Sequence, residues 1–132
     1  MKVVVLVCRI LLGLMFFIFG LNNLLHFIPM PPPSGDALTW MGILAAHHWM
    51  NFVGVIMTVA GLLLLVNRFV PLALVLLAPI LVNILLYHAL LWPHGAAPAI
   101  LGVVLELVLI GVYIRSFLPL LAMNPEADVR KL

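Results

Sequence analysis

Four long apolar runs, divided by breaks rich in proline, glycine and asparagine, constrain this chain more than any other feature. A helix that crosses a bilayer needs about 20 mostly apolar residues. Four segments meet that need: 3–28, 49–66, 69–92 and 98–121. The first break, "PMPPPSGD" from Pro29 to Asp36, cannot be helix, because proline fixes φ and has no N–H to donate. "NRFVP" and "PHGAAP" make the next two breaks, and residues 122–132 form a polar tail. Composition agrees with the runs. Hydrophobic residues make up 67% of the chain and charged residues 8%. A soluble domain is roughly 45–50% apolar with about a quarter of its residues charged. So little polar surface cannot cover a fold in water, so the lipid bilayer is the expected solvent. The fold class read from this pattern is all-α: one four-transmembrane-helix bundle over residues 1–121, followed by a cytoplasmic tail.

Met1 and Lys2 resemble the positive start of a signal peptide. The run that follows is far longer than a ~7–15-residue signal core and ends in no cleavage site, so it is read as a retained span. Between the first and second spans, "DALTWMGILAAHHW" is expected to form a short interfacial or re-entrant helix on the outer side. Asp36 is its expected cap, and Trp40 and Trp49 suit a membrane interface.

Charge sets the orientation. With four spans, all six basic residues (Lys2, Arg9, Arg68, Arg115, Arg130 and Lys131) fall on one side, and the loops on the other side carry none. Basic residues mark the cytoplasmic side, so both termini are expected in the cytoplasm. The five histidines (His26, His47, His48, His88 and His94) gather on the opposite side.

Helical spacing then sorts the polar residues onto faces. Arg9, Gly13, Phe16, Gly20, Asn23 and Phe27 share a stripe on the first span; Asn51, Gly54, Thr58 and Gly61 on the second; Asn83 and Tyr87 on the third; Gly102, Glu106, Ile110, Tyr113 and Phe117 on the fourth. Small residues let helices approach closely in lipid, and polar ones hydrogen-bond across. These stripes are expected to face the bundle interior, while His88 points away from Asn83. Glu106 is the most informative residue. It lies roughly 12 Å inside the membrane, at ~1.5 Å per residue from Pro98. A carboxyl at such depth costs on the order of 2.5–3.5 kcal/mol, which makes it a functional candidate by default. Its bland alternative is a structural hydrogen bond to Asn83, to Tyr87 or to a backbone group freed by Pro79. Pro79 is expected to kink the third span and open a pocket beside Asn83. Arg9 either snorkels to the headgroups or, sharing the glycine stripe, acts inside the bundle as a structural intramembrane charge.

Other chemistries find little support. Cys8 is the single cysteine, so no internal disulfide and no cysteine metal cluster can form. His26, His47, His48 and His88 are the metal candidates, but none pairs with another at the i, i+3 or i+4 spacing of one helix face, so no metal is assigned. There is no phosphate loop, no nucleophile elbow and no basic patch for nucleic acid.

Three stretches, "RILLGLMFFIFGLNNLLHF" (Arg9 to Phe27), "GLLLLVNRFVPLALVLLAPILVNILLYH" (Gly61 to His88) and "VVLELVLIGVYIRSF" (Val103 to Phe117), carry a resemblance to the DoxX family of small four-span membrane proteins. The match rests on Arg9, Gly13, Gly20, Asn83 and Glu106. The family pattern has a basic residue at Asn23, another near Gly54 and an acidic one near Met57, and these departures remove intramembrane charges. The resemblance implies a four-helix bundle in the bacterial inner membrane. It also implies association with membrane redox complexes, among them a thiosulfate:quinone oxidoreductase and complexes handling thiol and oxidative stress. The leading expectation is therefore a redox-complex subunit that holds a quinone or similar apolar ligand in its outer half, through Asn23, Asn83, Tyr87 and Glu106. The alternatives are a non-catalytic scaffold or assembly factor, with homo-oligomers or a redox protein as partner, and a small-molecule enzyme or transporter using Glu106 as catalytic acid or base.

Overall fold

The structure, a computed structural model, describes residues 1–131. Among these residues all regular structure is helical. The α-helices are α1 (Lys2–Leu25), α2 (Asp36–Ala46), α3 (Trp49–Leu65), α4 (Val70–Leu90), α5 (Ala97–Val112) and α6 (Ile114–Phe117), with 3-10 turns at Leu118–Leu121 and Val129–Lys131. Two of them, α1 and α4, are long and apolar enough to cross a membrane; four spans result if each bent pair, α2 with α3 and α5 with α6, counts as one.

Local chemistry explains the ends. α1 stops at His26, which adopts a left-handed φ of 53° while its N–H bonds Asn22 O. Asn22 Oδ1 then accepts from Ile28 N at 2.7 Å, which fixes the exit just before Pro29. Pro71 and Pro98 sit in the first turns of α4 and α5, where a missing N–H costs nothing. α2 begins at Asp36 itself with Gly35 as its cap residue, and no side chain caps it. Asp36 thus lies in the first turn, where its charge suits the helix dipole, rather than at the cap as expected.

The fourth run departs further from expectation. Its helix ends at Val112, and the segment Ile114–Leu121 turns away by 81°. Phe117 therefore leaves the stripe it was expected to share with Glu106. α2 makes the same 81° angle with α3.

α1 and α3 form the most intimate pair, and glycine is the reason. A Cβ added at Gly61 would lie 2.5 Å from Phe17 N and 2.8 Å from Gly13 O. One added at Gly20 would lie 2.6 Å from Thr58 N and 2.9 Å from Gly54 O. Backbone meets backbone at two levels seven residues apart, and the pairings run antiparallel. α4 packs on α3, α5 packs on α1 and α4, and α2 leans on α3. Leu12, Leu64, Leu74, Leu77 and Leu109 are fully buried between them. The opposite faces present exposed apolar residues, such as Leu11, Ile18, Val55, Leu72 and Leu107, which suits lipid contact.

Candidate functional site

α5 buries the face made by Ala99, Gly102, Leu105, Glu106 and Leu109. Gly102 lets it settle against two neighbours: a Cβ there would lie 2.9 Å from Leu81 Cδ2 on α4 and 3.4 Å from Met15 Sδ on α1. Glu106 follows one turn later on the same side. Since α5 runs antiparallel to both neighbours, one turn down α5 is one turn back along α1 and α4. That register sets the carboxyl near the layer of Leu12 and Leu77, close to mid-height rather than in the outer half. Glu106 is 4% exposed, and among the described residues neither Oε1 nor Oε2 has a hydrogen-bond partner. Buried polar groups are nearly always paired, so an orphaned carboxyl in a leucine layer is the feature of this fold that most needs an explanation.

The expected partners are engaged elsewhere. Asn83 is exposed, and its Nδ2 donates to Pro79 O at 2.9 Å, within its own helix. The buried face of α4 is Val70, Ala73, Leu74, Leu77 and Leu81. Asn83 is two residues past Leu81, about 200° round the helix, so it points outward together with Pro79. The expected Asn83–Glu106 pair is not formed, and α4 runs unbroken through Pro79. Tyr87 is half-buried, with its ring against His88 at 5.2 Å between centroids. Asn23 is half-buried at the α1–α3 contact, and its Nδ2 approaches Met57 Sδ at 3.5 Å. Thr58 Oγ1 donates to Gly54 O at 2.7 Å.

Arg9 is 8% exposed. Its Nη1 donates to Leu64 O and, at 3.3 Å, to Leu65 O. These are carbonyls of the last turn of α3, where the dipole favours a cation; Leu64 O also accepts from Asn67 N at 3.3 Å. Arg9 therefore acts inside the fold, closing the end of a neighbouring helix. The register puts it about a turn from Glu106, not in an opposite half, but its guanidinium is turned to α3.

Sequence reasoning passed over Asn22, which is 7% exposed and holds the end of α1. Its signal was the Asn-Asn pair ahead of a proline break. Among the histidines, His26, His47 and His48 are exposed at helix ends. His88 lies seven residues beyond Leu81, on the inward side of α4, and is half-buried. Its Nδ1 lies 2.8 Å from Trp92 O. A carbonyl only accepts, so Nδ1 carries the proton. Among the described residues no three His, Cys, Asp or Glu side chains come together as a metal site.

No curated protein and no solved structure matches the chain. The family model for DoxX matches residues 4–90, from the first turn of α1 to the end of α4. Its span holds Arg9, the four glycines of the α1–α3 contact, and Asn83, while Glu106 lies beyond it. With two thirds of its length matched, the chain belongs to the DoxX family.

Proposed function

We propose that this protein is a four-span bundle of the bacterial inner membrane, with both termini cytoplasmic, which serves as a subunit of a membrane redox complex and holds a quinone or similar apolar ligand against Glu106. One observation carries the reading: a buried carboxyl without a hydrogen-bond partner, in a layer of leucines. In its acid form that group has one O–H to donate and further acceptor capacity. A quinone carbonyl accepts such a bond, and its ring and tail fit leucine surroundings. Cys8 stands alone, so no cysteine-held cluster can form on this chain, and electron transfer falls to a partner protein. Asn23 and Tyr87, half-buried toward the end of the bundle where α1 and α4 finish, are the further candidate contacts for a long ligand. Asn83 is exposed and bonded within its own helix, so it stands apart from these proposed contacts.

The test is native mass spectrometry of gently solubilised protein. A bound mass matching a quinone, present in wild type and lost in E106L, supports the reading. Protein that carries no such mass even when solubilised with added quinone contradicts it.

A scaffold role is the second reading, favoured by the backbone contact of α1 with α3, which gives a stiff helix pair. Stable self-association with an empty interior would favour it. Use of Glu106 as acid or base in an enzyme or transporter ranks third, because among the described residues no hydrogen bond joins its carboxyl to a second titratable group. An unchanged phenotype in E106Q would remove that reading.

A further inference from the structure

At the end of the bundle where α1 begins, a cleft of about 350 Å³ opens between the first two turns of α1, the α3–α4 turn and the end of α5. Lys2, Val5, Leu6 and Arg9 line its α1 wall, and Asn67 and Tyr113 face them. Positions i, i+3, i+4 and i+7 share one side of a helix, so the two cations stand on one stripe with apolar residues between them. None of the lining residues is acidic. Among the described residues Arg9 reaches α3 through Nη1 alone. Its Nε and Nη2 remain, and that edge of a guanidinium pairs with two oxygens of a phosphate at once. Tyr113 and Asn67 add a hydroxyl and an amide. Val5 and Leu6 give the cleft an apolar lining. Beyond Tyr113 the chain turns by 81° into a segment with Arg115 and exposed Leu118, Leu120 and Leu121, a composition suited to lying along a membrane surface.

We propose that this cleft is a binding site for a phosphate-bearing anion, either the headgroup of an anionic phospholipid or free phosphate. Arg9 holds the phosphate through its free edge, Lys2 adds charge, and Tyr113 and Asn67 donate from the opposite wall. Lipid tails would follow the apolar flank of α1. The site is independent of the ligand proposed at Glu106.

The test uses the full chain in nanodiscs of phosphatidylcholine with a minor fraction of phosphatidylglycerol, followed by native mass spectrometry. Wild type is expected to retain one phosphatidylglycerol in preference to phosphatidylcholine. K2Q should lower that preference about fivefold, the effect of one cation near a lipid surface, and Y113F should lower it further. Both positions lie away from the carbonyl contacts of Arg9, so both variants should melt like wild type. A second arm measures melting in uncharged detergent with inorganic phosphate. Stabilisation of wild type but not of K2Q, together with displacement of the lipid by phosphate, supports the site and identifies free phosphate as its occupant. Equal retention of the two lipids with no stabilisation by phosphate, or variants that retain lipid as wild type does, would overturn the proposal.

Discussion

Gly61 and Arg9 hold the α1–α3 pair together by different means. A methyl at Gly61 would sit 2.5 Å from Phe17 N, and backbone cannot yield as a flexible side chain can. G61A is therefore expected to cost ~1–3 kcal/mol, the usual range for overpacking, read as a lower melting temperature in detergent. Gly111 is the control: nothing lies within 4 Å of its added Cβ. G111A should be neutral or stabilise by ~0.5–1 kcal/mol, since alanine suits a helix better than glycine. R9M removes the side-chain donor to the Leu64 and Leu65 carbonyls, leaving Leu64 O its bond from Asn67 N, and should cost ~1–3 kcal/mol. R9K should recover part of that, because one ammonium can still reach a carbonyl. Glu106 behaves oppositely. It lacks a partner, so E106L should raise the stability of ligand-free protein by ~1–3 kcal/mol, the cost of an unsatisfied buried group.

At the scale of elements, α4 is the instructive case. Its residues are apolar on every side, with Leu72, Val75, Val82 and Leu86 outward and Leu74, Leu77 and Leu81 inward. Asn83 and Tyr87 were its only polar markers apart from His88, and they mark the outward and flanking sides. N83L is therefore expected to change stability by less than ~0.5 kcal/mol, the usual range away from core features. A loss as large as that of G61A would mean that Asn83 faces the interior. The contrast shows what the sequence made legible. On α1, α3 and α5, glycines share a side with Arg9, Thr58 and Glu106, and that side is the packed one, except that Phe27, beyond the end of α1, and Asn51, in the first turn of α3, are exposed rather than inward as expected. Apart from the end of α5, which stops nine residues short of Leu121, helix boundaries lie within a few residues of the prolines and polar breaks. The bend at Tyr113 was not legible: Gly111, Arg115, Ser116 and Pro119 lie around it, but the stretch from Pro98 to Leu121 is long and apolar enough overall to pass as one straight span. The fate of the Glu106 carboxyl was not legible either. Spacing assigned it Asn83 as a partner, but only the rotation of α4 decides whether the two meet.

The whole molecule combines an apolar helical assembly of the DoxX family, a buried carboxyl without a hydrogen-bond partner among the described residues, and a basic end. Orientation can be checked on a Cys8→Ser background with single cysteines at Ser34 and Ser116, both exposed. A thiol reagent that cannot cross the membrane should label position 34 from outside and position 116 only after the cells are opened; the reverse pattern would invert the bundle. The central claim is that the orphaned Glu106 holds an apolar ligand. The most direct measurement is the melting temperature of wild type and E106L in detergent, each with and without a short-chain quinone. Binding at 100 times Kd stabilises by about 2.7 kcal/mol. E106L is expected to melt higher than wild type when both are bare, and only wild type is expected to gain on adding quinone. A bare E106L that melts lower than wild type, or an equal response of both proteins to quinone, would contradict the claim.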